Sequence, residues 1–108
     1  MYELRIGKFP LIASGRARTM GETDGLIKLV GDAKSDLLLG MHIVAPQAES
    51  LIGEGVIALE MGATLEDIGL SIHPHPTLTE SIGDAAEASH GKAIHIVNPK
   101  PKTPVAAG

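Results

Sequence analysis

The apolar residues of this chain change their period once, near Pro46. Before Pro46, apolar and polar residues alternate or form short apolar runs, which is the pattern of β-strands. After it, apolar residues recur at the three- and four-residue spacing of an amphipathic helix. A chain that places its strands first and its helices afterwards is typical of the α+β class. The pattern therefore predicts an antiparallel sheet of three to five strands with helices packed on one face.

The first half of the chain contains three stretches that predict strands, at residues 2–13, 26–30 and 37–44. Polar turns separate these stretches, one at Asp24-Gly25 and one from Asp32 to Asp36. Strands joined by short turns pair antiparallel, so we expect a meander. Residues 13–20 are small and basic, and we expect them to continue the extended path of the first strand.

The second half predicts three helices. The first begins at Pro46 and is stopped by Gly62, and its predicted apolar face is Ala48, Leu51, Ile52, Gly55, Val56 and Leu59. Glycine inside a helix costs about 1 kcal/mol relative to alanine, so Gly53 and Gly55 favour a close approach of another backbone. Capping-box patterns at Thr64–Asp67 and Thr77–Glu80 predict a helix ending near Gly69 and another ending near Ser89.

The remaining residues predict one further strand and a tail. Ala93–Val97 has the pattern of a short strand, and residues 99–108 hold three prolines among small residues and lysines. Such a composition is typical of a flexible segment. We therefore predict one domain over residues 1–98 and a flexible tail over residues 99–108.

The composition excludes several classes of function. The chain has 108 residues, a net charge of −4, no cysteine and 2% aromatic residues. Without a basic run or stacking aromatics it is a poor nucleic-acid binder, and without cysteine it has no disulfide, thiolate metal site or cysteine redox chemistry of its own. No apolar run approaches the ~20 residues of a membrane span, and no signal peptide is evident, so we expect a cytoplasmic protein without membrane contact.

The most informative segment for chemistry is His73-Pro74-His75-Pro76, followed by Thr77-Leu78-Thr79-Glu80. Imidazole exchanges protons near neutral pH, and a carboxylate on a helix start can fix its tautomer and orient its ring. His75 and Glu80 have the spacing for such a dyad. The prolines on both sides of His75 would hold the backbone in place.

Other interpretations of these residues remain open at this point. Glu80 could only complete the capping box of Thr77, although a carboxylate has oxygens for both roles. His73 and His75 could be a metal pair, with His90 or His95 adding ligands. The remaining histidines, His42, His90 and His95, are expected to be structural or surface residues, and His90 would lie favourably near a helix C-terminus.

The segment His75–Glu80 resembles the His-Pro-Thr-Leu-x-Glu signature of dihydrolipoamide dehydrogenases. Six further segments resemble the C-terminal interface domain of that family, in the same order: Gly7–Pro10, Ser14–Ala17, Leu39–Ile43, Ala48–Ile52, Ala58–Ala63 and Glu66–Ile68. The resemblance covers residues 2–98, which is nearly all of the predicted folded part.

The resemblance implies a role for this segment. Family members are flavoproteins that oxidise protein-bound dihydrolipoamide and pass electrons through a cysteine pair and FAD to NAD. By resemblance, His75 is the acid/base for the dithiol, Glu80 is its partner, and the dyad serves the site of the other subunit of a homodimer. His75 and Pro76 would lie near the flavin, and the bond between them is a candidate cis peptide. The partners implied for the full-length protein are the lipoyl-bearing components of 2-oxo acid dehydrogenase or related complexes.

The chain also departs from the family. It has no Gly-x-Gly-x-x-Gly fingerprint and no cysteine pair, so we expect a C-terminal part of a longer enzyme, without bound FAD or NAD and inactive alone. Two rival functions remain: a standalone dimerisation module without chemistry, and a small metal-binding protein that uses His73 and His75.

Overall fold

The computed structural model describes residues 2–91 and 105–107. Its strands form one antiparallel sheet in the order β3-β2-β1-β4. The strands are β1 (Tyr2–Pro10), β2 (Leu26–Asp32), β3 (Leu38–Val44) and β4 (Val105–Ala107). The helices are α1 (Gly15–Met20), α2 (Ala48–Glu60), α3 (Leu65–Leu70) and α4 (Glu80–Ser89). The predicted α+β class and the predicted meander of the first three strands are confirmed.

The strand register decides which side of the sheet is buried. Phe9 of β1 lies opposite Ile27 of β2, and Leu29 of β2 lies opposite Met41 of β3. Facing residues of an antiparallel pair share a face, so these side chains point to the same side. Phe9, Ile27 and Leu29 are fully buried there, and the core around them is otherwise mainly aliphatic.

The described helices α2, α3 and α4 cover that face of the sheet. A Cβ atom added at Gly7 of β1 would collide with the carbonyl oxygen of Ala85, so α4 lies directly against the first strand. A Cβ at Gly31 of β2 would meet the side chain of Leu65 at the start of α3. These glycines allow backbone-to-helix distances that a larger residue would prevent. The prediction that helices pack on one face of the sheet is confirmed for the described residues.

The prediction of extended chain over residues 13–20 is wrong. After a 3-10 turn at Leu11–Ala13, the helix α1 begins, because the Ser14 hydroxyl accepts a hydrogen bond from the Ala17 N–H at 3.2 Å. Gly21 ends the helix in the left-handed conformation. The connection between β1 and β2 is therefore a helical excursion, whereas β2 and β3 are joined by the short turn expected after Asp32.

The long helix is present, but its predicted apolar face is only partly buried. It begins at Ala48 rather than Pro46. Leu51 and Gly55 are buried against the sheet, whereas Val56 is 53% and Leu59 44% exposed. The apolar stripe is wider than the contact with β3. It therefore has a buried half and an exposed half.

The two glycines inside α2 have different surroundings. A Cβ at Gly55 would lie 2.7 Å from the Met41 Sδ atom, while a Cβ at Gly53 would have nothing within 4 Å. The close approach expected at both positions is found only at Gly55, and there it involves a side chain rather than a backbone.

The first predicted capping box is confirmed and the second is half present. The Thr64 hydroxyl accepts from the Asp67 N–H at 3.0 Å, and the Asp67 carboxylate accepts from the Thr64 N–H at 2.9 Å. Glu80 accepts from the Thr77 N–H at 2.9 Å, but the Thr77 hydroxyl donates to the Pro74 carbonyl instead. As a result, α4 begins only at Glu80.

Some sequence predictions fall outside the described residues. The strand predicted at Ala93–Val97 and most of the tail predicted at 99–108 lie there, while the described part of the latter, Val105–Ala107, is paired with β1. Among the described residues, no helix has the length and apolar character needed to cross a membrane.

Candidate active site

The segment between α3 and α4 carries the candidate site. It is irregular and contains the two prolines that flank His75. The peptide bond between His75 and Pro76 is cis, as the family resemblance implied. The segment ends at α4, whose first residue is Glu80.

The predicted contact between His75 and Glu80 is present. The His75 Nδ1 atom lies 2.8 Å from Glu80 Oε1 and 2.9 Å from Glu80 Oε2. Glu80 Oε1 also accepts the Thr77 N–H at 2.9 Å, so backbone and ring share the carboxylate. The capping and orienting roles, which the sequence left as alternatives, are therefore filled by the same side chain.

The arrangement gives the two ring nitrogens of His75 different tasks. Because a carboxylate accepts hydrogen bonds, Nδ1 carries a proton and its N–H donates a hydrogen bond to Glu80. This tautomer is assigned from the hydrogen bond. In the neutral ring, Nε2 then has a free lone pair. The His75 side chain is 73% exposed and that of Glu80 only 23%, so the base is accessible while its partner is held. The pair can accept a proton at Nε2 from an approaching molecule and return it.

Helix α1 contributes to the surroundings of the dyad, although its residues were predicted to be extended. A small cavity of about 160 Å³ is lined by His75 and Glu80 together with Ser14, Arg18 and Asp84. The signal that could have revealed α1 is Ser14, an N-cap residue, before Gly15-Arg16-Ala17. The helix has only six residues, so its apolar periodicity is too short to detect.

His73 binds a different carboxylate from His75. Its Nε2 atom lies 2.8 Å from Glu54 Oε2 on α2, and its side chain is only 11% exposed. The hydrogen bond to Glu54 raises the pKa of His73 above its ordinary value of 6.5, although burial lowers it. Glu54 could not be predicted from the sequence as this partner, because the two residues are 19 positions apart and no local pattern connects them.

The described residues do not support the metal-binding alternative. They contain no group of three or more His, Cys, Asp or Glu side chains able to hold a metal ion. His73 and His75 are each engaged by a separate glutamate. His42 is exposed on β3, and His90 caps the C-terminus of α4 with its Nε2 atom 3.2 Å from Asp36 Oδ1. His95 lies outside the described residues.

The exposed residues His75 and Pro76 could form one edge of a cofactor site, but they could not enclose a cofactor by themselves. Both residues are at the surface, so a flavin held by another part of an enzyme could reach them. The chain has no Gly-x-Gly-x-x-Gly fingerprint that would itself hold a dinucleotide. The residues present therefore fit a contribution to a flavin site completed elsewhere.

The comparison with protein families agrees with this fold and site. The model of the dimerisation domain of pyridine nucleotide-disulphide oxidoreductases matches residues 1–86. Because this match takes in most of the chain, the chain belongs to that family.

The individual proteins to which the chain is most similar include several dihydrolipoyl dehydrogenases. The chain is 62% identical over 97 residues to a dihydrolipoyl dehydrogenase of Thermus scotoductus, covering 90% of this chain and 21% of the relative. It is 47% identical over 94 residues to that of Bacillus subtilis, covering 87% of this chain and 20% of the relative. The crystal structure of LpdA from Mycobacterium tuberculosis superposes with a TM-score of 0.76 at 26% identity, over 80% of this chain and 19% of that one. The chain thus spans about a fifth of the length of these relatives, and the sequence-based recognition of the family is confirmed.

Proposed function

We propose that this chain is the part of a dihydrolipoyl dehydrogenase that supplies an acid/base dyad, His75 and Glu80, to the disulfide and flavin site of the partner subunit. The observation that carries the proposal is the pair of contacts from His75 Nδ1 to the Glu80 carboxylate, at 2.8 and 2.9 Å, on a ring that is otherwise exposed. A ring held on one side and open on the other is what proton transfer to an external substrate requires.

The chemistry assigned to the chain is proton transfer only. A dithiol attacks a disulfide as its thiolate, so a base must first remove a proton from the thiol. Nε2 of His75 takes that proton, and Glu80 stabilises the imidazolium through Nδ1–H. The electrons leave through groups that this chain does not contain, since FAD and NAD supply the electron-transfer chemistry in the complete enzyme. The isolated chain is accordingly expected to be inactive.

The surface proposed to meet the second subunit is the exposed side of α2 together with the segment before His75. Ile57, Met61 and Ile72 are 67%, 79% and 97% exposed and line a groove of about 930 Å³. Apolar residues gathered in this way are typical of surfaces that another chain covers. We place the two-fold contact here, which would bring His75 near the partner.

Three further features of the complete enzyme belong to the same proposal. Its cofactors are FAD and NAD, with His75 and Pro76 at the edge of the flavin. Its partners are the lipoyl-bearing components of 2-oxo acid dehydrogenase or related complexes. Its location is cytoplasmic.

The test uses a chimera in which this chain replaces the matching segment of the Thermus scotoductus relative. His75→Gln should reduce dihydrolipoamide oxidation by at least ~100-fold, the lower end of general acid–base contributions, with flavin content and NAD binding unchanged. Glu80→Gln should reduce the rate less, because the imidazole remains. His42→Gln, the same substitution at an exposed histidine on β3, is the matched control and should leave the rate unchanged. A normal rate in His75→Gln would refute the proposed role.

A further inference from the structure

A second histidine–glutamate pair lies directly behind the candidate site. The His73 ring connects two helices, since it bonds Glu54 of α2 at 2.8 Å and lies on the backbone of α4 at Gly83. A Cβ atom at position 83 would be only 2.9 Å from His73 Nδ1 and 3.1 Å from Cε1. Glycine at this position is therefore what allows the ring to lie on the helix.

Short covalent and hydrogen-bonded paths lead from this pair to the dyad. His73 is two residues before His75, separated from it by Pro74 alone. The Pro74 carbonyl accepts the Thr77 hydroxyl at 2.6 Å, and the Thr77 N–H is bound by Glu80 at 2.9 Å. Any displacement of His73 from its place between α2 and α4 would therefore move His75 and the backbone donor of Glu80 together.

The pair also differs from the dyad in exposure. The His73 side chain is 11% exposed and the Glu54 side chain 32%, whereas the His75 side chain is 73% exposed. A buried, hydrogen-bonded ring can hold a chain segment in place, whereas an exposed ring can exchange protons with a substrate. In the part of the chain that the structure describes, Glu80 is the hydrogen-bond partner of the exposed ring, and contacts such as those of His73 help to fix its backbone.

We propose that Glu54 and His73 are positioning residues that hold the His75 segment against α2 and α4 in the geometry needed for proton transfer. This inference rests on the proposed function of His75, which it deepens. His73 does not touch the substrate; it acts through the place it gives to His75.

The charge of His73 adds a pH dependence to this role. The groups that face His73 and affect its charge are Glu54 from α2, the backbone of Ser71 on its own segment, and Asp84 from α4. All three raise the pKa of His73, with Glu54 the strongest, and burial opposes them. The attraction between charged His73 and Glu54 is therefore complete below about pH 6.5, the ordinary pKa. It is lost only as pH rises through the elevated pKa of His73.

The first test reads the ring of His75 directly, by nitrogen NMR of the 108-residue chain at about pH 6.5, where the charged pair of His73 and Glu54 is intact. In the wild type, the neutral ring should carry its proton on Nδ1. His73→Gln and Glu54→Gln should release the segment, so that His75 shows both tautomers. Glu60→Gln, a substitution at an exposed carboxylate in the last turn of the same helix, should leave the His75 signals unchanged. Unchanged His75 signals in both His73→Gln and Glu54→Gln would overturn the inference.

A third variant moves the ring without removing any bonding group. Gly83→Ala places a methyl group 2.9 Å from His73 Nδ1, and the ring must shift because the helix backbone is fixed. It should perturb His75 as His73→Gln does, while alanine favours the helix itself. If His73→Gln fails to fold, Gly83→Ala decides the question with the same readout, and unchanged His75 signals would count against the inference.

The second test measures turnover in the same chimera with the Thermus scotoductus relative. His73→Gln should lower kcat for dihydrolipoamide about tenfold, less than the ~100-fold that a 1 Å misplacement can cause, with the KM for NAD unchanged. The limb of the pH–rate profile that comes from His73 should disappear. A loss of thermal stability with wild-type kcat and pH profile would mean a purely structural role.

The two proposals fail in different ways. A normal rate in His75→Gln refutes the catalytic role whatever His73 does. A low rate in His75→Gln together with wild-type rates and His75 signals in His73→Gln refutes only the positioning role.

Discussion

The two glycines inside α2 provide a matched test of how this helix packs. Both lie in the interior of Ala48–Glu60, so replacing either with alanine gains the same helical free energy, about 1 kcal/mol. A Cβ at Gly53 meets nothing within 4 Å, so Gly53→Ala keeps the whole gain. The melting temperature of this variant should rise by about 4–8 °C.

Gly55→Ala has the same gain but meets Met41. The new Cβ lies 2.7 Å from Met41 Sδ, which could swing away, and 3.3 Å from Met41 Cβ, which the strand holds in place. Overpacking of this kind costs about 1–3 kcal/mol, so the net effect lies between no change and a loss of about 2 kcal/mol. Because the helical contribution cancels, the two variants should differ by about 1–3 kcal/mol.

The assay is thermal unfolding followed by circular dichroism, with a double-mutant cycle as its control. In a Met41→Ala background the Sδ and Cε contacts are absent and only the Cβ contact at 3.3 Å remains, so Gly55→Ala should cost clearly less there than in the wild type. Equal melting temperatures for Gly53→Ala and Gly55→Ala would refute the packing of α2 on Met41.

Three other predictions concern the sheet, the buried pair and the assembly. Gly7→Ala should cost about 3 kcal/mol or more in urea unfolding, because its Cβ collides with the carbonyl oxygen of Ala85, whereas Gly15→Ala in open space should change stability by less than about 0.5 kcal/mol. The wild-type melting temperature should fall as pH rises above about 6.5, because the attraction of Glu54 stabilises the fold only while His73 is charged. Glu54→Gln should make this fall smaller. Analytical ultracentrifugation at high concentration should show a homodimer. A single monomeric species would contradict this prediction.

The order of strands and long helices could be predicted from the sequence because it depends on local periodicity. Apolar patterns longer than one turn or one alternation mark strands β2 and β3 and helices α2 and α4. The capping box of α3 is short, but its residue types are specific to a helix start. Helix α1 could not be predicted in the same way, since its stability comes from the Ser14 cap and its packing rather than from an apolar repeat. The exposed half of α2 was also missed, because periodicity shows which residues share a face but not what covers it.

The residues of the candidate site also differ in whether a local sequence pattern reveals them. The contact of His75 with Glu80 joins residues five positions apart across a helix start, so local spacing offered it as one interpretation and the family resemblance favoured it. Glu54 reaches His73 from 19 positions away and becomes a neighbour only when α2 packs beside the segment. Arg18 likewise reaches the cavity at the dyad only through the fold. Tertiary contacts of this kind leave no local signal in one sequence.

The claim that His75 serves the site of the other subunit has one direct test, a mixed dimer of the chimera. One subunit carries His75→Gln, and the other lacks a redox cysteine supplied by the Thermus scotoductus part. If His75 acts across the two-fold axis, one site of the mixed dimer is intact and the other has both defects, so the dimer should show about half of the wild-type rate of dihydrolipoamide oxidation. A mixed dimer with no more activity than either mutant homodimer would contradict the account, because it would place His75 in the site of its own subunit.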